Sequence, residues 1–220
     1  MAKYYTGFIE FSNDLDREIS WRKHELSILK NAIPTQSGKK RQAFLRMAIP
    51  ILYAHWEGFV SNCSYFYLKY VKSKRLKHSE LKEQFIVLSL RNKLGLFEAK
   101  NIETQTEIVH FLLENFNKRS NIPLKNIINT KSNLKFKVFN EILYTIGIES
   151  SSFKRFESII DDLVDLRNYI AHGENKVVDK KTYEEFSREI IALMNYFKTQ
   201  LENFALNEQF KQNPVAMTIE

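Results

Sequence analysis

One cysteine, Cys63, is all the thiol this chain has in its 220 residues. No intramolecular disulfide can form, an intracellular setting is favoured, and a thiol inside an apolar helical stretch reads as a small buried hydrophobe. No run reaches the ~18 to 20 apolar residues that a membrane span needs. The stretch Met1 to Asp16 lacks the basic start and uninterrupted apolar centre of a secretory signal, so the expected location is cytoplasmic. Also missing are a glycine-rich phosphate loop, paired cysteines and an HExxH pair, and the five histidines are scattered. No cofactor and no metal ligands are therefore expected. No internal repeat is found.

What is present is a chain of 44% hydrophobic content and formal charge +7. Such a composition suits a globular protein, and one core is the simpler reading of this length. The charge favours a polyanionic partner without separating RNA from DNA or an acidic protein.

The apolar pattern is helical throughout. Phe11, Leu15, Ile19, Leu26 and Leu29 predict a first helix from about Phe8 to Ile33, closed by Pro34 and Ser37-Gly38. A longer one from Lys39 to about Val71 carries Phe44, Ile51, Leu52, Phe59, Tyr65, Phe66 and Leu68, which makes it central to the core. Pro50 should bend it. A third helix is expected from Ser79, its cap, to Ala99, with Leu81, Phe85, Leu88 and Leu96 on one face. A fourth should run from about Thr104 to Asn117 through Ile108, Phe111 and Leu112; His110 in it has no ligand partner and reads as structural. From Lys118 to Lys135 a long basic connecting loop follows, with Arg119, Lys125, Lys131 and Lys135, and its Ile127, Ile128 and Leu134 suggest that it packs down. A helix over about Leu134 to Ile146 ends at Gly147. Thr182-Tyr183-Glu184-Glu185 fits a capping box for a last helix through Phe186, Ile190, Leu193, Phe197, Leu201 and Phe204. That helix should pack on the one before it. The expected organisation is a single all-α domain over 1–220, with a polar, frayed tail over about 207–220.

The remaining helix, about 153–172, holds the most informative stretch: Asp165-Leu166-Arg167-Asn168-Tyr169-Ile170-Ala171-His172-Gly173-Glu174. At about 100° per residue, Ile159, Leu163, Leu166 and Ile170 make one apolar stripe, and Asp161, Asp165, Asn168 and His172 fall opposite it. Arg167 lies only about 40° from Leu163. A permanent charge at the edge of an apolar stripe needs a partner, so Arg167 should line a cleft or a subunit contact. Five residues apart, Arg167 and His172 do not share a face. Either the last turn unwinds near Gly173, or two copies of the helix pair so that each site draws on both chains.

Arg167 and Asn168, three residues, then His172 resemble the motif of the HEPN domains, all-helical modules of which many are ribonucleases. Two more segments, Tyr53-Ala54-His55-Trp56-Glu57-Gly58-Phe59 and Thr130-Lys131-Ser132-Asn133-Leu134, resemble a bacterial HEPN subfamily of MAE type, a group of nucleases or toxins. The resemblance implies an all-α, HEPN-like helical bundle with additional helices, and a homodimer whose two motifs face each other across a basic cleft. It also implies RNA as substrate, products ending in a 2′,3′-cyclic phosphate, and a setting as toxin or phage-defence effector with an antitoxin or defence partner. In one HEPN toxin group a tyrosine two residues after the histidine is modified by a partner nucleotidyltransferase. Glu174 stands there in this chain.

The residues themselves suit metal-independent RNA cleavage, since a ribose 2′-hydroxyl can attack the neighbouring phosphorus. His172 supplies an imidazole, the side chain whose reference pKa of ~6.5 suits acid or base work near neutral pH. Arg167 offers a bidentate fork to a charged phosphate, and Asn168 can orient the ring or the phosphate. Glu57, on a stripe with Arg46, Pro50 and Tyr53, is a candidate partner for Arg167, either as a structural ion pair or in support of catalysis; Asp165 is a second supporting candidate. His55 reads as a histidine satisfied in the interior. Lys69, Lys72, Lys74 and Arg75, with Lys131, are candidate RNA contacts, although cations at a helix end also answer the helix dipole. Against the nuclease stands a noncatalytic helical module binding RNA, nucleotide or a partner protein, in which Arg167, Asn168 and His172 only cement a helix pair.

Overall fold

The computed structural model describes residues 5–94 and 102–212. Helical spacing sets the first element: α1 (Phe8–Ala32) buries Phe11, Leu15, Ile19 and Leu26, and Arg22 lies buried in the same stripe. A buried guanidinium must be paired. Its Nε and Nη2 donate to Glu18 Oε1, and its Nη1 donates to the His55 carbonyl at 3.0 Å. Asn62 Nδ2 adds a further bond to the same Glu18 oxygen at 2.8 Å. The pairing bolts α1 onto α2 (Lys39–Ser73), which runs unbroken through Pro50.

α2 is the central element, packed against α1, α6 (Glu157–Ala171) and α7 (Lys180–Leu206). Trp56, Phe59, Val60, Cys63, Tyr67 and Leu68 are fully buried along it. Trp56 meets Phe139 of α5 (Phe136–Thr145) edge-on at 5.1 Å, and Phe139 in turn meets Phe153 and Phe197. Such edge-to-face contacts tie α2, α5, α7 and the 3-10 segment Ser151–Phe156 into one apolar cluster. No strand occurs among the described residues, only two isolated bridges. None of their helices is long and apolar enough to cross a membrane.

Several boundaries differ from the expectation. Ser79 does not cap the third helix: it sits in a 3-10 turn, His78–Glu80, and α3 starts at Glu83 and is described to Leu94. Its expected continuation to Leu96 and Ala99 lies outside the described residues. α4 spans Ile102–Asn115. His110 there is exposed and stands 3.6 Å from Glu114, an i,i+4 neighbour that the sequence offered. The cap of α7 is Asp179 rather than Thr182: its carboxylate accepts from the Thr182 backbone N–H at 2.8 Å and from the Thr182 hydroxyl at 3.0 Å. The part of the tail described, to Gln212, is docked. Phe210 is fully buried and its carbonyl accepts from Lys82 N–H.

The α1–α2 junction yields two testable outcomes. A Cβ on Gly58 would come within 2.8 Å of Arg22 Nη2 and displace the guanidinium from its partners. Gly58→Ala is expected to cost about 1–3 kcal/mol in urea unfolding, the penalty of a buried charge left short of hydrogen bonds. Burial, with the Arg22 charge beside it, holds the His55 imidazole below the ordinary histidine range. The unfolded chain then takes up the proton more readily, so this stabilisation is complete above the unfolded pKa and declines as pH falls through about 6.5. The stability lost between about pH 8 and about pH 5.5 should shrink in His55→Gln.

Candidate functional site

α6 buries Ile160, Leu163 and Val164 fully, while Ile159, Leu166 and Ile170 pack on the core only in part. Its opposite side is covered by the connecting loop. The Phe136 backbone N–H donates to Asp161 Oδ1 at 2.7 Å, Lys135 Nζ pairs with Asp165 Oδ1 at 2.7 Å, and Asn168 Nδ2 donates to Asn133 Oδ1 at 3.1 Å. The Asp165 carboxylate holds the Lys135 ammonium above the usual lysine range. The loop segment makes this possible by turning sharply: Lys131 and Ser132 both take left-handed conformations, φ 56° and 50°. Asn129 steadies the turn through a bond from Lys131 N–H to its side-chain oxygen at 2.8 Å.

Arg167 sits between this loop and α2. Its Nη2 donates to the Ser132 carbonyl at 2.7 Å, and its guanidinium lies 4.0 Å from the centre of the Tyr53 ring. Tyr53 is itself pinned, because its hydroxyl accepts the Leu134 backbone N–H at 2.8 Å. Burial pushes the Tyr53 phenol above its ordinary pKa. One tyrosine therefore fixes both the arginine and the loop that receives it.

The expected pairing of Glu57 with Arg167 is not formed: among the described residues no ion pair joins them, and Glu57 Oε1 is buried with no hydrogen-bond partner. The arginine takes a neutral carbonyl and an aromatic face instead. Within Tyr53–Phe59 four residues have distinct structural roles. Tyr53 holds Arg167, His55 is buried 3.4 Å from Glu25 and against Trp21, Trp56 fills the core, and Gly58 leaves room for Arg22.

α6 ends without unwinding. His172 is its C-cap, with the N–H still bonded to the Asn168 carbonyl at 2.9 Å. Gly173, at φ 81°, then bonds to Ile170 and Glu174 N–H to Tyr169, the paired bonds of a Schellman motif. The His172 ring is exposed, and among the described residues no partner holds it. Arg46 of α2, which periodicity did not single out as a site residue, donates to the Lys176 and Glu174 carbonyls at 2.6 and 2.8 Å and clamps the turn just beyond.

The candidate RNA contacts lie apart from this centre. Lys69, Lys72, Lys74 and Arg75 occupy the far end of α2, where Lys69 packs over Tyr5 at 4.2 Å and Lys74 over Tyr70 at 4.5 Å. Lys131 is beside the motif but pairs with Glu141. Among the described residues no group of three or more His, Cys, Asp or Glu could hold a metal ion.

Three segments distant in sequence thus meet at Arg167 and Asn168: Tyr53 from α2, Ser132 to Leu134 from the loop, and the motif turn of α6. A family model described as RiboL-PSP-HEPN matches residues 17–203, which include all three. The chain belongs to the RiboL-PSP-HEPN family. The match carries the HEPN assignment and the all-α bundle, and does not single out the MAE type. No curated protein and no solved structure matches the chain.

In this HEPN chain the hydroxyl of Tyr53 is the joint between loop and motif. Tyr53→Phe keeps the ring under Arg167 and leaves the buried Leu134 N–H without an acceptor. The expected loss is about 1–3 kcal/mol, with faster amide exchange confined first to the 130–135 segment; unchanged exchange there would contradict the pinning role.

Proposed function

We propose that this protein is a HEPN endoribonuclease that cuts RNA without a metal, at a cleft formed by two copies of the chain. The observation that carries the reading is the division of labour on α6. Arg167 and Asn168 are fixed by a neighbouring loop and a buried tyrosine, while His172 stands free at a closed helix end. Groups that orient charge are held, and the group that must exchange protons is open to solvent.

The wound last turn favours pairing of two helices over local unwinding as the way to bring Arg167 and His172 to one phosphate. In the proposed step the 2′-oxygen attacks the adjacent phosphorus, and its proton passes to one His172 acting as base. The bond from phosphorus to the 5′-oxygen breaks, and that oxygen takes a proton from the His172 of the second copy. The products are a 2′,3′-cyclic phosphate and a 5′-hydroxyl. Arg167 donates to the phosphate oxygens, and Asn168 orients. Asp165, already paired with Lys135, positions the loop rather than taking part. Residence among MAE-type toxins or phage-defence effectors, in the cytoplasm and with an antitoxin or defence partner, is the setting this reading expects.

One observation favours the second reading, a noncatalytic HEPN module: Arg167 is already engaged on Ser132 and Tyr53. Cleavage of an RNA pool in EDTA separates the two. Wild type should cut RNA and leave matched DNA intact, and His172→Ala, still dimeric, should be slower by about 10² or more, the scale of lost acid–base catalysis. A His172→Ala protein that cuts as fast as wild type would remove His172 from the chemistry.

A further inference from the structure

A cavity of about 520 Å³ opens at the C-terminal end of α2, lined by Lys72, Ser73, Arg75, Arg119, Ser120 and Asn121. Three of its six lining residues are cations and none is an acid. Among the described residues, no ion pair neutralises Lys72, Arg75 or Arg119. Elsewhere on the surface the chain does supply partners, as at Lys154 with Glu157 and Lys211 with Glu208.

A helix dipole accounts for cations on the last turn of α2, but Arg119 comes from the segment after α4. That segment is laid against the exit of α2 by a bridge between Lys77 and Arg119, and by bonds from His78 N–H to the Lys118 carbonyl and from Ser120 N–H to the Leu76 carbonyl. The backbone thus brings a third cation to a place where two already stand. Arg75 adds a second indication. It occupies the residue just past the Lys74 cap with φ 52°, the left-handed conformation that glycine takes without steric cost, and carries a charged side chain there instead. The Ser120 hydroxyl and the Asn121 amide complete a set of donors suited to phosphate oxygens, while the Ser73 hydroxyl already donates to the Tyr70 carbonyl at 2.6 Å.

Lys72 follows Tyr53, which touches Arg167, by 19 residues of one helix, so about 28 Å of axis separates them at ~1.5 Å per residue. No single phosphate can touch both. A strand that meets both must span that interval, which takes several nucleotides.

We propose that this cavity is a second phosphate site, which grips the backbone of an RNA strand away from the cleavage motif. The proposal rests on the reading of RNA as the substrate, and makes the protein a binder of strands long enough to span that interval.

Binding of a labelled 20-nucleotide RNA, followed by anisotropy across a salt series, tests it in a His172→Ala background that prevents cutting. The pocket variant combines Lys72→Gln, Arg75→Gly and Arg119→Gln. A control of equal charge change combines Lys154→Gln, Arg188→Gln and Lys211→Gln, cations that each sit beside a carboxylate. The pocket variant should lower the slope of log affinity against log salt by about 2, from three contacts at ~0.7 each, and the control should change it far less. Arg75→Gly alone should weaken binding while thermal stability holds or rises, which a purely structural role for Arg75 would not give. Equal losses in pocket variant and control would mean diffuse attraction and overturn the site, as would an unchanged slope in the pocket variant. A parent protein that binds no RNA would overturn this inference together with the reading beneath it.

Discussion

A guanidinium cannot give up its proton, so Arg167, placed at the edge of an apolar helix face, obliges the rest of the molecule to provide for it. The provision is Tyr53. Its ring lies under the charge and its hydroxyl anchors Leu134, which sets the loop so that the Ser132 carbonyl meets the same guanidinium. From that one residue the consequences spread in both directions. The loop, once anchored, covers Asp161, Asp165 and Asn168 on α6, and α2, which presents Tyr53, must lie across α6 at that height.

Much of this architecture was legible in the sequence, because apolar periodicity states which side of each helix is buried. The helices over Phe8–Ala32, Lys39–Ser73 and Lys180–Leu206 follow directly from it, and the central place of α2 follows from its excess of apolar positions. The gap between Ile19 and Leu26 even holds a signal of its own: Arg22 fills the missing place in the stripe and is buried there. Periodicity says nothing, however, about what covers a polar side. The row Asp161, Asp165, Asn168 looks like a solvated face until the loop is laid on it, and that loop begins more than thirty residues earlier in the chain. For the same reason Glu57 looks like the natural partner of Arg167. An opposite charge on the right stripe is visible in a sequence, whereas a backbone carbonyl exposed by two left-handed residues, Lys131 and Ser132, is not. The basic residues at the end of α2 are visible as a run, but their separation from the motif is a property of a 35-residue helix that only its full length makes plain.

The two ends of the motif have opposite mechanical character, and the difference has a physical origin. Arg167 and Asn168 lie where three segments cross, so each has a partner from outside α6. His172 lies one turn further, where the helix closes on itself through Gly173 and the exit is clamped by Arg46 on backbone carbonyls alone. Bonds to the backbone fix the path of the turn without restricting the imidazole.

Engagement of Arg167 does not by itself remove it from chemistry. A guanidinium has five N–H donors, and the Ser132 carbonyl takes one of them while the Tyr53 ring occupies a face rather than an edge. The Nε is buried without a partner, so the inward edge is closed to a ligand, and what can be offered outward is the Nη edge. An arginine held in this way loses little rotamer freedom on meeting a phosphate, since its side chain is already ordered by the fold. On the proposed reading, the contacts that tie Arg167 to the fold are what lower the cost of presenting it to a second copy of the chain and its RNA.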